Sequence, residues 1–428
     1  MAIKRVTFRL YPNKAQNNQL HYWKKLHCYL YNACVYQRKT EYKKLGKNVN
    51  YFEQQNCLPD FKKCWPEYKE LGSHALQATV KRVDFAFQRF FKLKSGYPKF
   101  KSNRRYKGWT YPDQAGWSID SNGQHGFLTL SNLGEIKIRG KARDWGIPQT
   151  CSIMFKQGKW YGSITVDCIP TRQTGEEAIG LDFGVNWAIA ESNGNFLENP
   201  RFFKSAHDKI KKIAKKSRRK RSPKRGVKAS RRYRKCAAAI GKIQSKVARQ
   251  RQNWHHQVAV EIVSSNSFIA TEKLNLKGML RKSKGNRKRQ KSGLNRSILD
   301  VGIGNLKSLI KEKITEAGGV YLEIPTVKVK PSQTCSNCGH QKKKTLAQRV
   351  HCCEKCGFTC DRDVNAAKVM LNYARGLERT SLDVESSSST LCASMRQLGA
   401  KKRQKQQFTN TEVGNSDLGV AGRSSSYD

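Results

Sequence analysis

The sequence has few acidic residues, no long apolar run and no regular framework of cysteines. No stretch of eighteen apolar residues occurs, so we expect no membrane-spanning helix. The first residues, MAIKRVTFRLYPNK, contain no apolar core of the kind that a signal peptide needs. Eight of the fourteen cysteines lie outside residues 333–367 without regular spacing, which predicts free thiols in a reducing cytoplasm.

The shortage of acids leaves a large excess of positive charge. The chain has 83 Lys and Arg against 32 Asp and Glu, a formal net charge of +51. Self-repulsion on this scale destabilises a compact chain unless a polyanion neutralises it. The composition therefore predicts a nucleic-acid partner, and 428 residues suffice for two or three domains.

The first part of the chain has strand patterns that are interrupted by helical ones. Residues 2–11 alternate apolar and basic side chains, which is typical of a strand. Asn13 and Gln16 resemble a capping box at the start of a helix, and apolar spacing predicts another helix over residues 73–93. Short alternating runs return between residues 109 and 169, so we predict a small β-barrel or sheet into which a helical block is inserted.

The second part predicts an α/β domain beyond a polar linker at residues 169–177. Buried strands are predicted at residues 178–183, 187–190, 268–272 and 320–324, and a helix at residues 306–317. After residue 377 the composition turns to Ser, Gln, Asn and Gly. This composition predicts a disordered tail over residues 377–428.

Two basic segments are candidates for contacts with phosphates. Residues 203–262 are predicted to form a helical hairpin, with an apolar seam on the protein and the other face on phosphates. Residues 281–291 are predicted to be a loop that becomes ordered on nucleic acid. Twelve basic residues are predicted to bind nucleic acid: Lys211, Lys212, Lys215, Arg218, Arg219, Lys220, Arg231, Arg232, Arg234, Arg281, Arg287 and Arg289.

Two Cys-x-x-Cys pairs near the end of the chain predict a zinc site. Cys335 and Cys338 form the first pair, Cys353 and Cys356 the second, and a glycine follows each pair. This spacing is that of a zinc ribbon, in which two knuckles bind one structural zinc ion. Cys352 is an alternative to Cys353 only in a longer knuckle, so we predict Cys353 as the ligand, with a solvated hairpin between the knuckles.

Carboxylates stand at the ends of two predicted strands and at the start of one predicted helix. Asp182 ends one apolar strand, Glu272 ends another, and Asp361 and Asp363 stand at the start of a predicted helix. Carboxyl ends of neighbouring strands converge on one crevice in an α/β fold, and acids that meet there need divalent cations such as Mg²⁺. Two such ions can hydrolyse a phosphodiester. The alternative is that these acids are turn, cap or loop residues, with Asp361 capping the helix and Asp363 in its first turn.

Four ordered motifs are similar to those of the TnpB family, the transposon-encoded RNA-guided nucleases regarded as ancestral to type V CRISPR effectors. They are GLDFGV (180–185), ATEKLNLKGM (270–279), PSQTCSNCG (331–339) and CEKCGFTCDRDVNAAK (353–368). The segments FRLYPNKAQ, GYPKFKS and IKIRG also resemble that family, so the resemblance covers about residues 3–375. The chain departs from the usual pattern at Cys352-Cys353, where relatives have a single cysteine.

The resemblance implies a fold and a set of domains. They are a wedge-type β-barrel (1–12 and 103–172), an inserted helical recognition lobe (13–102), a RuvC-like, RNase H-type nuclease domain (173–330), a zinc ribbon that binds target nucleic acid (331–360) and a last RuvC segment (361–376). It also implies that Asp182, Glu272 and Asp363 are the catalytic Mg²⁺ ligands, with Asp361 as second choice. The implied partners are a transposon-derived guide RNA and double-stranded target DNA, which is cut beside a short adjacent motif.

The resemblance further implies a prokaryotic, cytoplasmic and nucleoid-associated protein, and we expect a monomer or a weak dimer. Three other functions are alternatives. A compact type V CRISPR effector differs in the origin of its RNA, and a guided DNA-binding protein without cleavage would lack one of the acids. A tyrosine transposase needs a His-x-His metal pair, whereas His255 and His256 are adjacent. A DDE transposase shares the carboxylate chemistry and is excluded mainly by the motif resemblance.

Overall fold

A computed structural model of the protein describes residues 2–93, 95–223, 227–281, 287–345 and 347–385. The chain forms two compact units, which divide between Arg172 and Gln173. Within the described residues no helix is long and apolar enough to cross a membrane. The thirteen cysteines among them form no disulfide.

The first unit is a seven-stranded antiparallel sheet with helices inserted after its first strand. Its elements are β1 (Ala2–Tyr11), α1 (Lys14–Leu45), α2 (Tyr51–Asn56), α3 (Leu58–Cys64), a short 3₁₀ helix (Pro66–Glu70), α4 (Ser73–Leu93), β2 (Gly108–Tyr111), β3 (Trp117–Asp120), β4 (Gly126–Leu130), β5 (Gly134–Arg139), β6 (Ile147–Lys156) and β7 (Lys159–Cys168). The strands pair in the order β2-β6-β7-β1-β5-β4-β3. No pairing joins β2 to β3 among the described residues, so closure into a barrel stays a prediction.

Local signals in the sequence explain where these elements begin. The predicted capping box is confirmed, because the Asn13 side chain accepts from the Gln16 N–H and the Gln16 side chain accepts from the Asn13 N–H. The predicted inner face of α1 is buried, with Trp23 1% exposed. Trp23 packs edge-on against Trp109 of β2. The helices and the sheet therefore share one apolar core.

The second unit contains a mixed five-stranded sheet covered by helices. Its elements are β8 (Glu177–Phe183), β9 (Trp187–Glu191), β10 (Phe196–Glu198), α5 (Phe202–Arg218), α6 (Arg231–Ser265), β11 (Asn266–Glu272), α7 (Leu276–Met279), α8 (Lys288–Val301), α9 (Ile303–Glu316), β12 (Val320–Ile324), α10 (Thr326–Val329), β13 (Val350–Cys352), β14 (Thr359–Asp361) and α11 (Arg362–Glu385). The sheet order is β10-β9-β8-β11-β12. Strand β9 is antiparallel to β8 and β10, whereas β8, β11 and β12 are mutually parallel.

Alternation along the strands gives this sheet two buried faces. Ile179, Leu181 and Ile269 belong to the core formed with α6 and α9. The even-numbered positions Phe268 and Ala270 pack instead with α11. Asp182 and Glu272 are also even-numbered, so both carboxylates lie on the face that carries α11.

Helices α5 and α6 form the predicted basic hairpin, but its seam is more exposed than we predicted. The apolar residues of the predicted seam are Ile210, Ile213, Ala237, Ile240, Ile243 and Val247. Only Val247 is buried, and Ala237 is exposed. The first half of α6 packs against α5, whereas buried residues of its second half, such as Val258 and Ile262, pack on the sheet. Buried Asp300 fixes the base of the hairpin: its carboxylate accepts from the backbone N–H of Phe203 at 2.8 Å and from Arg251 at 3.0 Å.

Two predictions of disorder were wrong in part. Residues 288–291 of the predicted basic loop form the first turn of α8, while residues 282–286 lie outside the described residues. Helix α11 continues to Glu385, beyond the predicted start of the tail at 377 and the predicted end of the last nuclease segment at 376. No Gly or Pro between residues 377 and 385 ends that helix. Residues 386–428 of the predicted tail lie outside the described residues.

Candidate active site and metal centre

Strand register brings two of the predicted carboxylates side by side. Strands β8 and β11 are parallel, and Leu181 is paired with Thr271. The next residues along the two strands are Asp182 and Glu272, at the carboxyl ends of β8 and β11. Because parallel partners in register point to the same face, the two carboxylates share one edge of the sheet.

A glycine lets α11 bring the third carboxylate to the same edge. A β-carbon at Gly180 would lie only 2.0 Å from the backbone oxygen of Ala367, so α11 rests directly on the β8 backbone. Asp182 is two residues farther along the same face of β8, and Asp363 is one helical turn before Ala367. The close packing at Gly180 therefore directs Asp363 towards Asp182.

The charges of the three acids affect one another. Burial is the largest effect on Asp182 and raises its pKa, the charges of Asp363 and Glu272 raise it further, and the result is a pKa of about 7. Arg362 opposes this shift. Burial and the neighbouring Asp361 raise the pKa of Asp363, while Arg349 and Arg362 lower it. The positive charges of Arg349 and Arg362 therefore offset the negative charges of the acids only in part, and the electrostatic potential in the cleft stays negative.

Asp361 has a different role from Asp363. The Asp361 carboxylate accepts from the backbone N–H groups of Asp363 at 2.8 Å and Val364 at 3.3 Å. This is the geometry of a helix N-cap, and it satisfies two of the otherwise unpaired N–H groups at the start of α11. The capping alternative therefore describes Asp361, while Asp363 lines the cleft.

The cleft is suited to hard cations. It has a volume of about 330 Å³, and Asp182, Asp363, Trp187, Leu294 and Arg349 are among its lining residues. Its acidic donors are carboxylate oxygens, which Mg²⁺ prefers. Within the described residues, Asp182, Glu272 and Asp363 do not form a cluster in which all the ligand atoms lie within 4.8 Å of one another. The four cysteines described below do form such a cluster. Glu272 is not among the residues that line the cleft.

The four predicted zinc ligands meet in one cluster. The sulfurs of Cys335, Cys338, Cys353 and Cys356 all lie within 4.8 Å of one another, and the Cys335 and Cys356 sulfurs are 3.7 Å apart. Backbone N–H groups of the second knuckle lower the pKa of Cys353 to about 6, which favours the thiolate that zinc binds. Cys352 and Cys360 lie outside the cluster.

Asn365 connects this ribbon to α11 and was not singled out from the sequence. Its side chain, which is fully buried, accepts from the Ser336 N–H at 3.0 Å and donates to the Thr334 oxygen at 2.7 Å. These two residues flank Cys335. Asn365, which closes the segment DRDVN (361–365), therefore fixes the ribbon to the helix that carries Asp363. These two hydrogen bonds explain why an asparagine stands at this position.

Three basic residues near the carboxylates were also missed. Arg349 comes from the segment between the knuckles and lies 4.0 Å from the Asp363 carboxylate. Arg362 donates to the backbone oxygen of Thr345 at 2.9 Å, which holds that segment against α11. Lys307 of α9 donates to the backbone oxygen of Glu272 and pairs with Glu323. No local pattern distinguishes these three from the other basic residues of the chain.

The twelve predicted nucleic-acid contacts lie at the surface. All are exposed except Lys220, which is half-buried. Lys211, Lys212 and Lys215 project from α5, and Arg231, Arg232 and Arg234 from the first turn of α6. Their contacts with nucleic acid stay a prediction.

Two protein families match parts of this chain. Residues 304–370 match the family described as "Cas12f1-like, TNB domain". Residues 162–283 match the family described as "Probable transposase". The first match contains all four clustered cysteines and Asp363, and the second contains Asp182 and Glu272.

Whole proteins and one solved structure are also similar. The chain is 26% identical over 375 residues to "Putative RNA-guided DNA endonuclease InsQ" of Escherichia coli strain K12, a match that covers 85% of this chain and 90% of that protein. It is 34% identical over 145 residues to "TnpB-like protein L79" of Acanthamoeba polyphaga mimivirus, covering 33% of this chain and 26% of that protein. The structure titled "Cryo-EM structure of the Cas12f1-sgRNA-target DNA complex" has a similar fold, with a TM-score of 0.58, 13% identity, and coverage of 86% of this chain and 98% of that one.

Proposed function

The chain belongs to the TnpB family, and from this premise we propose that it is an RNA-guided DNA endonuclease that hydrolyses its target with Mg²⁺. The carrying observation is geometric: Asp182 stands at the carboxyl end of β8, beside the end of β11, and Asp363 of α11 lines the same cleft. The charges of Asp363 and Glu272 both act on Asp182 and, with burial, raise its pKa. Acids with perturbed pKa values that share a cleft are typical of catalytic sites. The mixed sheet order supports the proposal of an RNase H-type, RuvC-like fold.

In this mechanism the three carboxylates hold the cation site, and the surrounding residues position them. Bound Mg²⁺ would activate water and stabilise the leaving oxygen of the phosphodiester. Asp182 and Glu272 are placed by strand register, and Lys307 donates to the Glu272 backbone from the opposite side of the sheet. Arg349 projects into the cleft from the ribbon segment, where its guanidinium can bind a phosphate oxygen and hold the strand in place.

The charge distribution supports guidance by RNA. In guided nucleases, base pairing reads the sequence while a basic surface holds the backbone of the heteroduplex. The exposed basic residues of α5 and α6 fit the role of backbone contacts. We propose a transposon-derived RNA as the guide, double-stranded DNA with a short adjacent motif as the target, and a nucleoid-associated location in the cell.

A cleavage assay tests the hydrolytic step. The protein is purified with its copurifying RNA, given Mg²⁺ and a matched DNA target, and compared with Asp182→Asn. We expect the variant to bind the target and to cut it at least about a hundredfold more slowly, since it lacks one charged metal ligand. Asp120→Asn, an exposed acid of β3, is the matched control and should cut normally. Equal cleavage by the wild type and Asp182→Asn would remove Asp182 from the mechanism.

The same preparation separates the alternatives. A guided DNA-binding protein would bind the matched target without cutting it in any divalent metal. Sequencing the copurifying RNA distinguishes a transposon-end transcript from a CRISPR repeat transcript, and therefore a TnpB nuclease from a compact type V effector.

A further inference from the structure

A second cavity lies beside the carboxylate cleft. It has a volume of about 350 Å³ and is lined by Asn186, Trp187, Glu198, Asn199 and Arg201. Asn186 and Trp187 line both this cavity and the carboxylate cleft. A molecule that occupies the second cavity would therefore be a direct neighbour of a group held at the carboxylates.

Trp187 gives this cavity a flat aromatic surface. Trp187 begins β9 and is 40% exposed, although the residues that follow it in the strand are buried. Its ring packs against Phe196 of β10, with the centroids 5.1 Å apart and the planes at 41°. The indole is thus held on one side and accessible on another. Because every nucleobase has a π face, a fixed, exposed ring of this kind can stack an unpaired base.

The cation of the cavity is held in an unusual backbone conformation. Arg201 has a φ of +46°, which is uncommon for a residue with a β-carbon. Its N–H donates to the Asn199 side chain at 3.1 Å, and that same side chain donates to the Val185 oxygen at 2.8 Å. Strained residues persist where the surrounding structure fixes them, which is frequent in binding sites. The backbone of Arg201 is therefore held at this cavity, and its exposed guanidinium is suited to a phosphate oxygen.

Glu198 restricts what the cavity can bind. A carboxylate repels a phosphate backbone, so an exposed acid beside a nucleic-acid strand needs a donor to interact favourably. The exocyclic amino groups of cytosine and adenine are such donors, whereas thymine presents a carbonyl oxygen at that position. The cavity thus combines a stacking surface, an acceptor for a base and a cation for a phosphate.

We propose that this cavity is a nucleobase pocket for one unpaired nucleotide of the DNA strand that enters the carboxylate cleft. Trp187 stacks on the base, Glu198 accepts from its amino group, and Arg201 binds the adjoining phosphate. The pocket favours cytosine or adenine over thymine at this position. The proposal rests on the proposed function, because it requires a single strand of DNA at the carboxylates.

Fluorescent targets test the stacking contact. The protein–RNA complex is bound to matched targets that carry 2-aminopurine at successive positions of the displaced strand, with Ca²⁺ in place of Mg²⁺ to keep the strand intact. We expect quenching at one position in the wild type, its loss in Trp187→Ala and its retention in Trp187→Phe. The control is Trp65→Ala, which removes a tryptophan of similar exposure, 54%, from the first unit.

Cleavage rates with Mg²⁺ test the consequence. Trp187→Ala should cut about tenfold more slowly or worse, from the usual loss per stacked base, while Trp187→Phe should stay within about threefold of the wild type. The wild type should cut targets with cytosine or adenine at the quenched position faster than thymine targets, and Glu198→Ala should remove this preference. The pocket is refuted if Trp187→Ala keeps both the quenching and the rate, or if Trp65→Ala lowers them equally.

A further experiment tests the nucleobase pocket independently of the proposed nuclease activity. The RNA-free protein is titrated with a single-stranded oligonucleotide that contains 2-aminopurine. Quenching that requires Trp187 supports the pocket even if no matched target is cut, an outcome that would overturn only the proposed function. Quenching that is equal in the wild type and Trp187→Ala rejects the pocket whatever the cleavage result.

Discussion

At the scale of single residues, two aspartates that lie two positions apart in the sequence have different structural environments. Asp361 caps α11, and Asp363 lines the cleft. We expect Asp363→Asn to lose cleavage without a fall in unfolding temperature, because the cap remains. Asp361→Asn should keep both, since asparagine caps a helix as well as aspartate does, whereas Asp361→Ala should lose about 1 kcal/mol of stability. Loss of cleavage in Asp361→Asn would mean that Asp361 binds metal.

The raised pKa of Asp182 makes stability depend on pH. Its pKa is about 7 in the folded chain and about 4 in an unfolded one, so the folded state disfavours the ionised form. The free energy of unfolding should therefore fall as pH rises from about 4 to 7. In Mg²⁺-free buffer with zinc retained, Asp182→Asn should melt at a higher temperature than the wild type at pH 8 and at a similar one at pH 4. We expect a gain of about 1–2 kcal/mol, which is below the full shift because solvent screens this half-buried group.

Thermal unfolding at both pH values, with and without Mg²⁺, measures this effect. Added Mg²⁺ should stabilise the wild type more at pH 8 than at pH 4, since it must compete with protons for the carboxylates. An Asp182→Asn variant less stable than the wild type at pH 8 would contradict the charge argument.

At the scale of elements, the contact of α11 with β8 decides where Asp363 lies. Gly180→Ala would place a methyl group 2.0 Å from the Ala367 oxygen. The nearest atoms, the oxygen and the carbonyl carbon of Ala367, belong to the backbone of α11, so the helix must shift. We expect a loss of about 2 kcal/mol or more in stability, as in other overpacked cores, together with a loss of cleavage. The control is Gly241→Ala in α6, where a β-carbon would meet no atom within 4 Å outside the neighbouring backbone of its own helix and where helix propensity predicts a gain of up to about 1 kcal/mol. Normal cleavage by Gly180→Ala would show that the helix position is not critical.

The elements also show how far sequence reasoning extends. Alternation and capping are local, so β1 and the start of α1 at Lys14 could be predicted to the residue. Convergence of Asp182, Glu272 and Asp363 was inferred from strand ends and family motifs, but the register that aligns two of them is a property of the folded sheet. Arg349 could not be predicted, because its place in the cleft depends on how the ribbon folds back over α11. The apolar seam of α5 and α6 was predicted to pack on the rest of the protein. Periodicity identifies an apolar stripe, but it does not identify the element against which that stripe packs.

At the scale of the whole molecule, the net charge of +51 should dominate binding to nucleic acid. Each neutralised phosphate contributes about 0.9 to the slope of log affinity against log salt on duplex DNA. Replacing Lys211, Lys212 and Lys215 by Gln should lower that slope by up to about 3, if all three bind phosphates. Replacement of the same three by Arg keeps the charge and should leave the slope unchanged. Equal slopes for the Gln variant and the wild type would exclude α5 from the phosphate contacts.

The hydrogen bonds of Asn365 connect the cysteine cluster to the helix that carries one acid of the proposed Mg²⁺ site. The cysteine cluster fixes residues 334–336, which hold the helix that carries Asp363, and Cys356 of that cluster is exposed. An oxidant that attacks this sulfur should release zinc and loosen the anchor of Asp363, although Asp182 and Glu272 remain intact. Peroxide treatment should then abolish cleavage, and thiol reductant with added zinc should restore it. We therefore expect oxidative stress or zinc starvation of the host cell to abolish the proposed cleavage activity.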